Sequence, residues 1–115
     1  MSTDFSSKHS MVSPGVGLVE VSGEVDIYTA PKFKEDMLAV IDAGATHLVI
    51  DLGDVTFIDS TALGVLTGGI KRMHAVDGRM VLVVSTRPVQ KVLTITGLDS
   101  IFEIHETREE ALAGV

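Results

Sequence analysis

The chain has 115 residues, 45% apolar and 22% charged, with no cysteine and a formal net charge of −7; that is enough for one domain with a real core and too little for two. The absence of cysteine excludes a disulfide framework, a thiolate nucleophile and a cysteine-based metal site. The acidic balance argues against nucleic acid as a direct partner and favours a protein with a basic docking surface.

In chain order, residues 1–4 are expected to be a loose terminus, with the domain core over about 5–113. Residues 1–10 are polar and lack the apolar segment of a signal peptide, and the longest strongly apolar run, Met80 to Val84, is too short to span a membrane. The expectation is a cytoplasmic protein with no membrane partner. Phe5 to Met11 alternates weakly, as an edge strand does, and Ser13-Pro14-Gly15-Val16 suits a type II turn into a second strand, Val16 to Val21. Ser22 to Tyr28 reads as a loop carrying Glu24 and Asp26. Thr29 is placed to cap a helix with Pro31 in its first turn. Phe33, Met37, Val40 and Ile41 form that helix's core stripe, Lys32, Lys34, Glu35 and Asp36 its exposed side, and Gly44 its end.

Thr46 to Leu52 alternates as a strand, and Gly53-Asp54 reads as a turn into a short apolar strand, Val55 to Ile58. A polar triplet, Asp59-Ser60-Thr61, then separates that strand from a long helical pattern running from about Ala62 to Val76. Ser60 reads as the N-cap, its hydroxyl accepting from free backbone N–H groups. The cap is not built for stability, because Leu63 stands where a capping box wants Glu or Gln. The helix also tolerates Gly64, Gly68 and Gly69, at about 1 kcal/mol each relative to alanine. Its wheel puts Leu63, Leu66, Ile70 and Met73 on a core stripe widened by Ala62, Val65 and Val76. Thr61, Gly64, Gly68 and Ala75 make a flat opposite side that a partner can approach closely.

Asp77-Gly78 closes this helix, and Met80 to Val84 reads as a strand buried on both faces. Ser85 or Thr86 caps a third helix with Pro88 in its first turn, Val89, Val92 and Leu93 facing the core and Gly97 at its end. A last strand is expected around Ile101-Phe102, followed by a short helix opened by Thr107 and Glu110 as a capping box. Strands alternating with helices predict an α/β domain with a mixed, partly parallel sheet of four to five strands.

No motif points to catalysis. His9, His47, His74 and His105 lack ligand-type spacing, so no metal site is expected. There is no Gly-x-Ser-x-Gly, Walker or dinucleotide motif, and nothing in the sequence places a base beside Ser60 for a hydrolase triad. A phosphate on Ser60 would add about −1.5 to −2 charge at a helix N-terminus, changing the sign of a docking face without melting the helix.

Three ordered segments carry a resemblance. Phe57-Ile58-Asp59-Ser60-Thr61-Ala62-Leu63-Gly64-Val65 resembles the phosphorylation segment of the STAS domain in bacterial anti-sigma factor antagonists, with Ala62 where the family often has glycine. Gly23-Glu24-Val25-Asp26-Ile27-Tyr28-Thr29-Ala30-Pro31 is similar to that family's first loop, and Thr96-Gly97-Leu98 to its closing turn. The resemblance runs from about Val16 to Phe102. It implies a single compact STAS-like domain over 1–115, with about four helices packed mainly on one side of the sheet. It places the phosphoacceptor on Ser60, leaving Thr61 as a second hydroxyl that local chemistry alone does not exclude. It makes Glu24, Asp26, Asp59, Thr61, Gly64 and Gly68 the partner-binding set. The implied function is regulation of transcription in a stress response. The unphosphorylated domain binds an anti-sigma factor serine kinase and frees the sigma factor, phosphorylation releases it, and a PP2C-type phosphatase resets it. The chain is then a substrate, not an enzyme, with no cofactor of its own, as a monomer or weak dimer. The other reading is a STAS scaffold or signalling module that is not phosphorylated.

Overall fold

Pro14 and Gly15 turn the chain between β1 (Ser6–Ser13) and β2 (Val16–Val25), which pair antiparallel as the hairpin predicted from sequence. Gly15 takes the positive φ that the third position of a type II turn requires. The computed structural model describes residues 4–115; the rest of the terminus expected to be loose, 1–3, lies outside the described residues. After the hairpin come α1 (Ala30–Asp42), β3 (His47–Ile58), α2 (Ser60–Ala75), β4 (Arg79–Val83), α3 (Arg87–Ile95), a single 3-10 turn (Leu98–Ser100), β5 (Glu103–His105) and α4 (Arg108–Leu112). The five described strands lie in sequence order in one sheet, β2 to β5 parallel and β1 antiparallel at the edge.

The sheet carries two apolar layers. On one face, Phe33 and Met37 of α1, Leu66 and Met73 of α2, and Val89 and Leu93 of α3 pack on Leu48, Ile50, Leu52 and Leu82. On the other, Ala111 and Leu112 of α4 cover Leu18, Val49, Val81 and Val83. Three helices therefore share one face, as expected, and α4 takes the other. Arg108 holds α4 there through Glu20 and Asp51, and His47 Nε2 lies 3.2 Å from the Ala111 carbonyl.

Apart from the helix caps, five readings from sequence need correction. Gly53-Asp54 is not a turn: β3 runs unbroken through it, with its register against β2 slipping by one residue between Glu20 and Ser22 and again between Gly23 and Glu24. Each slip inserts an extra β3 residue, so the core positions advance from Leu52 to Val55 to Ile58 in steps of three rather than two. The same pairing extends β2 to Val25, placing Glu24 in a strand rather than a loop. Gly23 sits at the second slip with φ +85, and a Cβ there would lie 2.7 Å from the Asp4 carbonyl. Val76 is 56% exposed, because α2 ends at Ala75 and the Asp77-Gly78 turn carries Val76 off the core. The last strand is Glu103–His105; the expected strand centre, Ile101-Phe102, is the exit from a 3-10 turn, with only Phe102 buried.

The fifth correction concerns Asp36, read as solvated and in fact 1% exposed. Ser7 Oγ donates to its Oδ2 (2.6 Å), while His9 Nδ1 (2.6 Å) and Lys32 Nζ (3.0 Å) approach its Oδ1. Burial alone would raise its pKa, but these hydrogen bonds and the Lys32 charge outweigh burial and hold it below the ordinary value of 3.8. The edge strand β1, well upstream of α1 in the chain, supplies two of the three partners.

Candidate functional site

Parallel strands β2 and β3 end side by side, with Val25 opposite Ile58. The next residue of each strand is an aspartate, and the Asp59 backbone N–H donates to the Val25 carbonyl at 3.2 Å. The fold thus brings together Asp26 and Asp59, 33 positions apart, at the carboxyl end of the strands, the edge where α/β proteins place their sites.

Asp59, not Ser60, is the N-cap of α2. Its backbone is extended, and Oδ1 accepts from the N–H groups of Thr61 (2.9 Å) and Ala62 (3.1 Å). A carboxylate at this position satisfies two orphan donors and sits on the positive end of the helix dipole, which a serine hydroxyl does more weakly. The third helical residue is Ala62, so no capping box forms around the corrected cap either. Ser60 is the first residue of α2, exposed, and among the described residues its hydroxyl has no hydrogen bond to the protein.

Asp26 builds the adjoining loop rather than reaching Ser60. Its Oδ1 accepts from the backbone N–H groups of Tyr28 (2.9 Å) and Thr29 (3.1 Å), and its N–H donates to Thr29 Oγ1 (2.9 Å). The Thr29 hydroxyl donates to the Glu24 carbonyl at 2.9 Å, so Thr29 makes no side-chain cap on α1 as had been expected. Thr86 likewise leaves its helix uncapped, donating instead to the Val55 carbonyl at 2.7 Å. The tight turn leaves Ile27 63% and Tyr28 87% exposed, and the second register slip leaves Phe57 47% exposed at the same end of the sheet. Sequence reasoning missed this apolar trio. The signal was there: two apolar residues inside a loop between Asp26 and Thr29, and a Phe out of step with the core.

Along α2, Gly64 and Gly68 are exposed, and a Cβ at either would meet nothing within 4 Å. Gly69 differs: a Cβ there would lie 2.5 Å from Met37 Sδ, so it is a packing glycine. Ser60, Thr61, Gly64 and Gly68 are thus all exposed or open on the outer side of one helix, beside the Asp26 loop. Of the site residues predicted from sequence, Glu24 lies nearest the sheet, paired in register with Phe57. Three of the four histidines are engaged elsewhere, His9 with Asp36, His47 with Ala111 and His105 with Glu103.

The site is thus a five-stranded mixed sheet whose second helix is capped by Asp59 and opens on an exposed serine. A model of the STAS domain matches residues 9–111. An anti-sigma-B factor antagonist of Listeria monocytogenes is 38% identical over 90 residues, 78% of this chain and 79% of the relative. The crystal structure of an anti-sigma factor antagonist from Mycobacterium paratuberculosis superposes with a TM-score of 0.86 at 30% identity, covering 97% of this chain and 96% of that one. The anti-sigma factor antagonist SpoIIAA is also similar. Its unphosphorylated form has a TM-score of 0.79 at 26% identity over 93% of each chain. The phosphorylated form of SpoIIAA from Bacillus has a TM-score of 0.73 at 25% identity, over 93% of this chain and 96% of that one. The chain belongs to the STAS domain family of anti-sigma factor antagonists.

Proposed function

We propose that this chain is an anti-sigma factor antagonist switched by phosphorylation at Ser60. Unphosphorylated, it binds an anti-sigma factor serine kinase in the cytoplasm and frees the sigma factor; phosphorylated, it lets go, and a PP2C-type phosphatase resets it. The observation that carries this reading is the division of labour between neighbours: Asp59 does the capping, which leaves the exposed Ser60 hydroxyl available to a partner. A relative of the same fold is known in both unphosphorylated and phosphorylated forms, which supports the same reading.

In the transfer step the kinase supplies ATP and the base. The serine oxygen bonds to the γ-phosphorus, the bond to the ADP leaving oxygen breaks, and the hydroxyl proton passes to the kinase's base. This chain contributes only position, as a substrate rather than an enzyme. Because the Asp59 carboxylate already occupies the helix N-terminus, a phosphate on Ser60 meets a like charge there instead of a free anion site. It is held outward, on the surface that Ile27, Tyr28 and Phe57 share with Thr61, Gly64 and Gly68. Release follows from charge on the docking face, with α2 itself intact. Asp26 and Glu24 set the shape of the loop, and the two glycines let the kinase approach the backbone.

The test is intact-mass and site-mapping mass spectrometry after incubation with ATP and each anti-sigma kinase of the same genome. A single phosphate on Ser60, absent in Ser60→Ala, is expected with one of them. Ser60→Ala should bind that kinase constitutively, and the phosphoprotein and Ser60→Asp should bind at least about tenfold more weakly. No phosphate with any kinase would replace this reading with that of an unphosphorylated STAS scaffold.

A further inference from the structure

A cleft of about 590 Å³ lies between helices α1 and α2. Pro31, Leu38 and Val65 give it apolar walls, and Gly64 and Gly68 give it a side with no side chains. It runs lengthwise between the helices, from Pro31 to Leu38 on one (about 10 Å) and from Thr61 to Arg72 on the other (about 16 Å). The open glycine side would leave a small ligand only partly enclosed, whereas small-molecule sites bury most of their ligand. An elongated apolar trough with one open side has the shape that receives a partner helix.

The charge of the cleft selects that helix. Lys34 and Arg72 line it, and no acid does. Among the described residues neither cation has an ion pair or hydrogen bond, as is also true of Lys71, Arg87 and Lys91, whereas Lys8, Lys32, Arg79 and Arg108 are paired. The whole of α2 carries Lys71 and Arg72 and no carboxylate, in a chain whose net charge is −7. Net charge alone points to a basic partner; this cleft points the other way.

We propose that the α1–α2 cleft docks an amphipathic helix of a protein partner, its apolar stripe against Leu38 and Val65 and its flanking Glu or Asp residues on Lys34 and Arg72. The inference rests on reading this face as the partner-binding face, and it names the chemistry of what binds there. It also couples the cleft to the switch: Thr61 lines the cleft beside Ser60, so a phosphate on Ser60 adds like charge at the end where an acidic helix enters.

The probe is a synthetic helical peptide of about 15 residues with a Leu/Ala stripe flanked by glutamates, compared with the same stripe flanked by lysines. Each is titrated into the full ¹⁵N-labelled chain. The glutamate peptide should shift the Gly64 and Gly68 amides and the lysine peptide should not. Lys34→Glu with Arg72→Glu should weaken the glutamate peptide at least about tenfold and transfer preference to the lysine peptide. Lys34→Gln with Arg72→Gln, a milder pair, should lose the preference without reversing it. Equal binding of both peptides to the native chain would overturn the inference, as would a footprint confined to Ile27, Tyr28 and Phe57. Dodecanoate shifting Gly64 and Gly68 where the glutamate peptide does not would overturn it in favour of a small anionic amphiphile. Phosphorylation of Ser60 without peptide binding would sink this inference alone; charge-selective binding without phosphorylation by any kinase would sink the switch alone.

Discussion

The inner and outer sides of the helical layer use the same residue types for opposite ends. On α2, Gly69 faces inward because Met37 leaves no room for a methyl group, while Gly64 and Gly68 face outward with empty space around them. On α1, Asp36 is buried and held by three partners, while Lys34, two residues earlier, is exposed with none among the described residues. Residues on the inner side are explained by what they touch. Those on the outer side are explained by nothing within the domain, and a stability cost with no internal return points to a partner.

Substitutions should separate the two sides by sign and size. The largest effect is expected from Asp36→Asn, which keeps the volume and loses the charge that Ser7, His9 and Lys32 address; about 2 kcal/mol should be lost at neutral pH, read from urea midpoints. Its pH dependence has a fixed sign. The pKa of Asp36 is lowered on folding, so its contribution is complete above the unfolded value of 3.8 and disappears as pH falls through the lower folded value. The gap between wild type and Asp36→Asn should therefore close below pH 3.8. A gap that persisted unchanged there would mean the side chain matters through packing alone.

Next in size, Gly69→Ala should destabilise by up to about 1 kcal/mol, since displacing the buried end of Met37 outweighs the helix propensity that alanine gains. At the start of α2, Asp59→Ala should cost about 1 kcal/mol and Ser60→Ala almost nothing in thermal unfolding, because the cap is the aspartate. Equal costs would return the capping role to Ser60 and weaken the case for its hydroxyl being free. The smallest effect runs the other way: Gly64→Ala should stabilise by about 0.5–1 kcal/mol, since its new methyl meets nothing, while lowering affinity for the proposed kinase partner. A gain in stability with unchanged binding would remove Gly64 from the docking face.

Other electrostatics on the far side of the sheet are structural. Hydrogen bonds from Arg79, then from His105, pull the Glu103 pKa down to about 2, and the Arg79 bond ties the edge strand β5 to its neighbour β4. That carboxylate stays ionised far into the acid range, and its contribution is lost only as pH falls from 4.5 through about 2.

Much of this protein is legible in the chain itself. Period and punctuation determine the order of elements: Pro14-Gly15 makes the hairpin, the short apolar run Met80 to Val84 marks the buried strand β4, and Asp77-Gly78 and Gly97 stop their helices. The junction at Asp59-Ser60-Thr61 is legible because a polar triplet between an apolar strand and a helical pattern supplies acceptors for the free N–H groups of the first turn. Tertiary structure decided the rest. Whether Gly53-Asp54 turns or continues depends on pairing with β2, since a register slip costs little locally and is chosen by the neighbouring strand. Which of Asp59 and Ser60 caps α2 depends on the extended backbone that this pairing imposes on Asp59. Asp36 is buried only because an edge strand 27 and 29 residues earlier brings Ser7 and His9 over it. The exposure of Ile27, Tyr28 and Phe57, and the cleft with its two cations unpaired among the described residues, exist only once β2 and β3 lie side by side and α1 and α2 pack together. Local sequence sets propensities within a few residues; exposure and charge surroundings belong to pairs of segments that meet only in the folded chain.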